Sequence, residues 1–376
     1  MRRILFVVND PAFFLSHRLS IACAAKKEGY EVHVATAPGD SVPTILEHGF
    51  VHHPLPLSRS GVNIFREFFA FISIWAVLVK IRPSIAHLVT IKPVLYGGLA
   101  ARISPVKGVV AALSGLGFIY MRQGKKAGAI KTVVSYLYRL AFAKSNLKAI
   151  FQNADDMNEF VRLNVVPRSK SAIIRGSGVD LSLFEYRPEP DTVPMVTFAS
   201  RLLRDKGVVE YVKAASLLKL RGVSANFQVV GDIDAGNPTS ITRQEIEAWR
   251  SEGFIDFLGH RSDISSVFSR SHIVVLPSYR EGLPKVLVEA AACGRAVVTC
   301  DVPGCRDAIE PGVTGLLVPE RNADALAESI QLLVENSELR QRFGRAGRDL
   351  AEREFGIAGI VRQHLDIYQE LGALNE

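Results

Sequence analysis

The sequence predicts an α/β fold of two doubly wound, Rossmann-like domains, and two observations lead to this prediction. Short β-branched runs alternate with longer amphipathic segments, and the alternation begins twice, at residues 3–8 and again at residues 195–200. Strand–helix alternation is typical of a parallel sheet covered by helices on both faces. A chain of 376 residues, of which 48% are hydrophobic, is long enough to bury two such cores.

Predicted strands follow one another in both halves of the chain. The first half contains RILFVV, EVHVAT, IAHLV and GVVAAL, separated by helical segments at 16–28, 62–80 and 93–102. The second half contains MVTFAS, NFQVV, FIDFL, HIVVLP and AVVTC, with helical segments at 207–220 and 284–293. We therefore expect a parallel sheet in each half.

The domain boundaries are predicted from a linker. Residues 173–194 are dense in Gly, Pro and Asp, which is the composition of a hinge. We predict a first domain at 1–178 and a second at 179–356. A final helical segment at 357–376 follows the break at Phe355-Gly356, and such a tail can pack back on the first domain.

Charge is divided unevenly between the halves. Residues 1–180 contain 23 Lys and Arg against 10 Asp and Glu, whereas the remainder contains 22 against 28. The sequence has no acidic residue between Glu67 and Asp155. Such a field favours an anionic partner, although an ordinary solvated face is the alternative.

Cysteine usage and hydropathy predict the compartment. Four cysteines lie in unrelated contexts without a CxxC pair, so we expect reduced thiols, as in the cytoplasm. The apolar run Ile4–Val8 is too short for a signal-peptide core. The longest apolar run, Phe68–Val79, is shorter than the roughly 20 residues that span a bilayer.

The most informative motif is PSYREGLPKVLVEAAACG at residues 277–294. Its first residues follow the strand HIVVL, and open α/β sheets bind ligands at the carboxyl ends of strands. Pro284 suits the first turn of a helix, whose amino end attracts anions. Glu281 and Glu289 lie on either side of this proposed phosphate site, where their carboxylates can accept hydrogen bonds from ribose and hexose hydroxyls.

A second motif, FASRLLRDKGV, also follows a predicted strand. Arg201 and Lys206 flank a turn there, and together they can clamp a diphosphate. Paired cations at this point stabilise a departing nucleoside diphosphate without a metal ion. Plain surface charges are the alternative interpretation of all four motif residues.

With these motifs the chain resembles glycosyltransferase family four, the retaining enzymes of GT-B fold. The resemblance covers nearly the whole chain and is greatest from Ser200 to Pro319. It implies two Rossmann-like domains facing a cleft, with the donor in the second domain and the acceptor in the first. It also implies that Glu281 holds donor-sugar hydroxyls and that Glu289 holds the ribose.

The resemblance implies where the rest of a nucleotide-sugar donor, UDP-linked in our interpretation, lies. Basic side chains grip the diphosphate, the base lies near the end of a strand, and backbone amides complete the phosphate cradle. The residues in these three places are Arg201 and Lys206, Gly259 and His260, and Gly282 and Leu283.

The first half resembles a subgroup that extends polyprenyl-diphosphate-linked glycans, including N-acetylgalactosaminyltransferases. The matching segments are FFLSHRL, TIKP and SGLGF. They make His17, Lys92 and Ser114 the candidate acceptor-side residues, with a capping or core role as the alternative for His17. Many family members have a histidine where this chain has Ser114, so we assign no catalytic histidine.

The resemblance also sets the expected chemistry. We expect same-face attack, in which the leaving diphosphate helps to deprotonate the acceptor hydroxyl, because no second carboxylate is evident where a nucleophile would stand. We expect neither a metal ion nor a cofactor. Asp232 and Asp234 imitate a metal-binding DxD motif, but the loop that follows them is rich in turn residues, and we interpret both as turn residues.

We therefore expect transfer of GalNAc or a similar sugar to a polyprenyl-diphosphate-linked saccharide in capsule or O-antigen assembly. The enzyme is expected at the inner face of the cytoplasmic membrane, which Lys125, Lys126 and Lys131 would contact, without nucleic acid as a partner. A nucleotide-sugar 2-epimerase of the same fold and a nonenzymatic membrane- or nucleic-acid-binding module are the alternatives. Neither explains both the basic first half and the motif residues.

Overall fold

The computed structural model describes residues 2–57, 63–115 and 125–373, without the side chains at 64, 125–130 and 373. The chain divides into two compact units. The first consists of Met1–Ser177 with Ala358–Glu376, and the second of Gly178–Ile357.

Seven described strands form the sheet of the first unit, and neighbouring strands run parallel. Their order is β3-β2-β1-β4-β5-β6-β7. The strands are β1 (Arg2–Val7), β2 (Tyr30–Thr36), β3 (Val51–Pro54), β4 (Ile85–Val89), β5 (Gly108–Ala112), β6 (Leu147–Phe151) and β7 (Ser171–Ile173).

Helices connect these strands. They are α1 (Pro11–His17), α2 (Leu19–Lys27), α3 (Val42–Glu47), α4 (Ile64–Ile81), α5 (Ile91–Arg102), α6 (Lys125–Ala141) and α7 (Ala154–Arg162). The predicted helical segment at 16–28 begins earlier and is interrupted. Asp10 caps α1 by accepting a hydrogen bond from the Phe13 amide at 3.0 Å, and the chain leaves helical geometry at Arg18.

Alternating side chains of β1 supply both faces of the first core. Leu5 and Val7 pack with α4, α5, α6 and α7, whereas Ile4 and Phe6 pack on the opposite face with α1, α2 and α3. A period of two is what a parallel strand covered on both sides requires.

The second unit contains six described parallel strands in the order β10-β9-β8-β11-β12-β13. This is the order of a doubly wound Rossmann sheet. The strands are β8 (Met195–Ala199), β9 (Asn226–Val230), β10 (Ile255–Gly259), β11 (Ile273–Leu276), β12 (Ala296–Cys300) and β13 (Gly315–Val318). The predicted fold class, with two doubly wound parallel sheets, is confirmed.

The helices of the second unit are α8 (Val208–Leu220), α9 (Arg243–Ser251), α10 (Ile264–Arg270), α11 (Lys285–Ala292), α12 (Ala323–Glu335) and α13 (Ser337–Leu350). A π-helical turn at Ala351–Phe355 precedes the last helix, α14 (Ile357–Ala373). Ile360, Ile367 and Tyr368 of α14 are buried in the core of the first unit. The Tyr368 hydroxyl lies 2.5 Å from Nδ1 of the buried His87 on β4.

Four strands of the structure, β3, β6, β7 and β13, were not predicted from the sequence. Three of them lie at sheet edges, where strands are short and carry less of the hydrophobic pattern that reveals a strand. The helices among the described residues include none long and apolar enough to cross a membrane.

Candidate active site

In the second sheet the strand order reverses between β8 and β11. The chain continues from β8 to β9 on one side and from β11 to β12 on the other. The chain segments that follow β8 and β11 therefore continue in opposite directions along the sheet, and open α/β sheets bind ligands at such a point. Residues 200–207 follow β8 and residues 277–284 follow β11. Both sequence motifs thus lie at one point of the sheet.

The two loops meet in an ion pair between the Lys206 ammonium and the Glu281 carboxylate. Both side chains are mostly buried, so the pair is shielded from water more than a surface salt bridge. The buried Cys305 thiol lies near Glu281, and burial raises the pKa of that thiol. A carboxylate and a cation held side by side can meet sugar hydroxyls and a phosphate, respectively.

Arg201 is held by a carboxylate that sequence reasoning did not connect with it. Its guanidinium lies 2.5 Å from Oδ2 of Asp234, in the loop after β9. Asp232 accepts a hydrogen bond from the Ile233 amide at 2.7 Å, which fits a turn residue. Arg201 itself is exposed, so its other guanidinium nitrogens can reach an anion.

Two glycines allow the site loops to touch. A Cβ on Gly207 would lie 2.1 Å from the Pro277 carbonyl oxygen, and one on Gly304 would lie 2.5 Å from the Glu281 carbonyl oxygen. Both have positive φ, 76° and 82°. The Glu281 amide also donates to the Pro303 carbonyl at 3.1 Å. The Pro303-Gly304 turn, which follows β12 after Asp301 and Val302, therefore packs against the backbone of Glu281. A Pro-Gly pair shortly after a strand is the sequence signal that was overlooked.

Tyr279 and Ser278 fasten the second loop to the first. The Tyr279 amide and the Ser278 hydroxyl both donate to the Asp205 carbonyl, at 2.9 and 3.0 Å. The Tyr279 hydroxyl donates to Glu210 at 2.8 Å, and the Arg321 guanidinium lies over the Tyr279 ring. Burial, with the Glu210 hydrogen bond, raises the pKa of Tyr279. Tyr279 therefore holds the second loop in place. It was not among the site residues predicted from the sequence.

Glu289 lies on the second turn of α11 and is buried. Burial raises the pKa of its carboxyl, and the Lys285 ammonium at 3.2 Å opposes that shift. Gly282 and Leu283 are buried just before Pro284, the N-cap of α11. The amino end of α11 therefore adjoins Glu281 and presents the positive end of a helix dipole.

Gly259 and His260 lie farther along the sheet. Gly259 ends β10, and its carbonyl accepts a hydrogen bond from the Gly231 amide at 2.8 Å. This bond joins the end of β10 to the loop after β9, the loop that holds Asp234. The His260 side chain is exposed.

The first unit likewise places polar residues at the carboxyl ends of its own strands. Asn9 follows β1, Thr90 follows β4 and Ser114 lies two residues beyond β5, three neighbouring strands. Asn9 Oδ1, Thr90 Oγ1 and Ser114 Oγ are buried, and none of them has a hydrogen-bond partner among the described residues. Thr90 has φ 72°, a strained conformation for a residue with a β-branched side chain. Buried unpaired hydroxyls and strain are typical of a ligand site.

The other acceptor-side candidates occupy separate places. Lys92, on the first turn of α5, lies 2.5 Å from the Glu67 carboxylate on α4. His17 ends α1, half-buried, with its ring stacked on Phe13 at 4.0 Å. The grouping of these two residues with Ser114 remains a prediction.

The basic residues chosen as a membrane face belong to α6. Lys131 is partly exposed on this helix. Lys125 and Lys126 begin α6, but their side chains lie outside the described residues. Their role also remains a prediction.

Two family models match the chain. The model for glycosyl transferases group 1 matches residues 182–350, and the model for glycosyl transferase 4-like proteins matches residues 3–153. A relative from Campylobacter jejuni, named N,N'-diacetylbacillosaminyl-diphospho-undecaprenol alpha-1,3-N-acetylgalactosaminyltransferase, is 30% identical, with 98% of this chain and 99% of the relative covered. The capsular polysaccharide biosynthesis glycosyltransferase CapM of Staphylococcus aureus is 22% identical, with 91% and 90% covered.

Solved structures share the fold over the full length. Sucrose-phosphate synthase from Thermosynechococcus elongatus has a TM-score of 0.81 at 19% identity, with 100% of both chains covered. Anabaena HepE, solved with UDP and glucose, has a TM-score of 0.78 at 18% identity, with 97% of this chain and 99% of HepE covered.

Glu289 predicts a pH-dependent stability. Because its pKa is raised on folding, the folded chain binds more protons than the unfolded chain above the unfolded value of about 4.3. The contribution of this carboxyl group to the free energy of unfolding is fully present below that value, and it is lost as pH rises through the pKa of the folded state. Without nucleotide, Glu289→Gln should therefore melt at a higher temperature than the wild type near pH 7.

Thermal unfolding across about pH 4 to 8 measures this difference. The difference in melting temperature between Glu289→Gln and the wild type should disappear toward the acidic end of this range. Glu328→Gln, at an exposed position of α12, is the matched control and should show no pH-dependent gap. A wild type as stable as Glu289→Gln at every pH would contradict the prediction.

Proposed function

The chain belongs to the glycosyl transferases of group 1, and from this premise we propose that it transfers a sugar from a UDP-linked donor to a lipid-linked saccharide. The observation that carries the proposal is the Lys206–Glu281 ion pair at the reversal of strand order, with Arg201 in the same loop as Lys206. This arrangement supplies cations for a diphosphate and a carboxylate for hydroxyls at a ligand-binding point of the fold.

In the proposed reaction each motif residue has one task. Arg201 and Lys206 stabilise the diphosphate as the bond from its oxygen to the sugar breaks. Glu281 accepts hydrogen bonds from sugar hydroxyls, and Glu289 accepts them from the ribose. The acceptor hydroxyl attacks from the face that the diphosphate leaves, and a phosphate oxygen takes its proton. Retention of configuration follows from this same-face attack and agrees with the family.

The proposed donor is UDP-GalNAc. The Campylobacter jejuni relative is an N-acetylgalactosaminyltransferase by name, and HepE of the same fold was solved with UDP. Gly282 and Leu283 with the amino end of α11 would hold phosphate oxygens, and Gly259 and His260 would lie near the base. The donor is a substrate, and the proposal includes no further cofactor.

The proposed acceptor is a saccharide on a polyprenyl diphosphate, the class that the name of the Campylobacter jejuni relative contains. We propose that it binds at the carboxyl ends of β1, β4 and β5, where Asn9, Thr90 and Ser114 present buried polar atoms without partners in the part of the chain that the structure describes. His17, at the end of α1, and Lys92, on the first turn of α5, belong to the helices that follow β1 and β4. A hydroxyl-rich ligand would satisfy such atoms.

We further propose that the reaction takes place on an anionic membrane surface, at the inner face of the cytoplasmic membrane. The support is the basic first half, with Lys125, Lys126 and Lys131 on α6, together with four free cysteines among the described residues. Each cation near an anionic surface contributes about 1 kcal/mol, so a few suffice for reversible attachment.

The two glutamates should fail in different ways. Glu281→Gln should lower kcat on the order of 10²-fold, because it removes a charged contact with the reacting sugar. Glu289→Gln should mainly raise the KM for the donor, because it contacts the ribose. Steady-state kinetics of UDP release measures both, with Glu328→Gln as the control. Unchanged kinetics in both variants would remove this site.

Activity should survive EDTA. Arg201, Lys206 and the amino end of α11 already offer positive charge to the diphosphate, and Asp234 is occupied by Arg201 at 2.5 Å. The measurement is turnover before and after chelation. Loss of turnover with recovery on adding Mn²⁺ would instead identify Asp232 and Asp234 as metal ligands.

UDP-GalNAc should stabilise the protein most among nucleotide sugars. A donor at 100 times its Kd adds about 2.7 kcal/mol to the stability of the folded state, which a thermal shift detects. The panel is UDP-GalNAc, UDP-GlcNAc, UDP-glucose and GDP-mannose at equal concentration. A larger shift with GDP-mannose would overturn the assignment of a UDP-linked donor.

A further inference from the structure

Helix α4 is apolar on two opposite faces. Its inner face supplies Ala70, Ile74, Leu78 and Ile81 to the core of the first unit. Its outer face carries large apolar side chains that nothing described covers. Their exposed fractions are 78% for Phe65, 60% for Phe68, 64% for Phe69 and 38% for Ile72.

These four residues, the phenylalanine stripe, are spaced i, i+3, i+4 and i+7. That spacing places them on one side of a helix. Single exposed apolar residues are common, but a continuous row of three phenylalanines and an isoleucine marks a surface that contacts an apolar partner. Helix α5 packs on both α4 and α6, and α6 adds exposed Val133 and Tyr136.

The exposed charges at both ends of α4 are positive. Arg66 is exposed next to the stripe in the sequence, and Lys80 and Arg82 are exposed at the other end of the helix. Arg102 and Lys107, beyond α5, are also exposed. The sequence has no acid from residue 68 to residue 154. An apolar row bordered by cations is complementary to lipid chains under anionic head groups.

Glu67 precedes Phe68 in the sequence but lies on the inner face of α4, toward α5, since residues adjacent in a helix point in different directions. The structure turns it away from solvent. Its Oε1 lies 2.5 Å from the Lys92 ammonium, and its Oε2 accepts a hydrogen bond from the Tyr96 hydroxyl at 2.7 Å. The carboxylate is therefore neutralised by α5, and it adds no free negative charge to the stripe.

We propose that α4 inserts the phenylalanine stripe into the interface of an anionic bilayer. The inference rests on the proposed function in one respect, namely that the enzyme binds a lipid-linked acceptor at a membrane. It differs from attachment by basic residues alone, because part of the binding is hydrophobic and resists salt.

Cosedimentation tests the stripe. Vesicles of phosphatidylcholine with about one third phosphatidylglycerol should bind the full chain, and a fraction of binding should persist in high salt. The triple variant F65S/F68S/F69S should lose on the order of 10² in partition coefficient. The double variant L220S/L332S, at exposed leucines of the second unit, is the matched control and should bind like the wild type. Equal binding by wild type and triple variant would overturn the proposal.

Trp75 tests the depth of insertion, because it belongs to α4 and the chain has only one other tryptophan. In Trp249→Phe, lipids brominated on their chains should quench the remaining Trp75 fluorescence. The triple variant in the same background should be quenched less. Binding without quenching would mean surface attachment only and would overturn insertion.

Two controls separate this proposal from its competitors. Stabilisation by UDP, measured without vesicles, should be equal in the wild type and the triple variant, so loss of UDP binding in both would refute the proposed function and leave the vesicle result valid. Sedimentation velocity without lipid should show no association that the triple variant abolishes. Such an association would identify a second copy of the chain as the occupant of the stripe.

Discussion

Between β8 and β11 the second sheet reverses its strand order, and these two neighbouring strands deliver their loops to one end of the sheet. Residues far apart in the sequence meet there for that reason. Lys206 and Glu281 are 75 positions apart, yet they form an ion pair. The turn at Pro303 and Gly304, which follows the next strand, β12, packs against the backbone of Glu281. Arg201, in the same loop as Lys206, is held by Asp234.

Two cations of the candidate site each face a carboxylate. Lys206 pairs with Glu281 and Arg201 with Asp234. Such pairing limits the conformations of long side chains, which otherwise lose rotamer entropy when they meet a ligand. The ion pairs therefore hold both cations in place, and electrostatic stabilisation is most effective when little reorganisation is needed.

The fold and the positions of the motifs could be predicted from the sequence, whereas the residues that hold the motifs in place could not. Strand–helix alternation is visible in neighbouring residues, and so is the position of Glu281 after a buried strand. The contacts of Asp234 with Arg201 and of Tyr279 with Glu210 join segments more than 30 positions apart. Only the packed sheet brings them together. The short edge strands β3, β7 and β13 were missed because edge positions need less hydrophobic pattern.

The first unit shows how a charge pattern in sequence changes meaning in three dimensions. Glu67 is the last acid before a long basic segment. Residues adjacent in a helix point in different directions, and Glu67 faces α5, where it pairs with Lys92 and accepts a hydrogen bond from Tyr96. The outward surface of α4 therefore carries the phenylalanine stripe and Arg66 without this anion. A cation of the predicted acceptor loop thus holds an acid of a neighbouring helix, and a shift of α4 against α5 would break that ion pair.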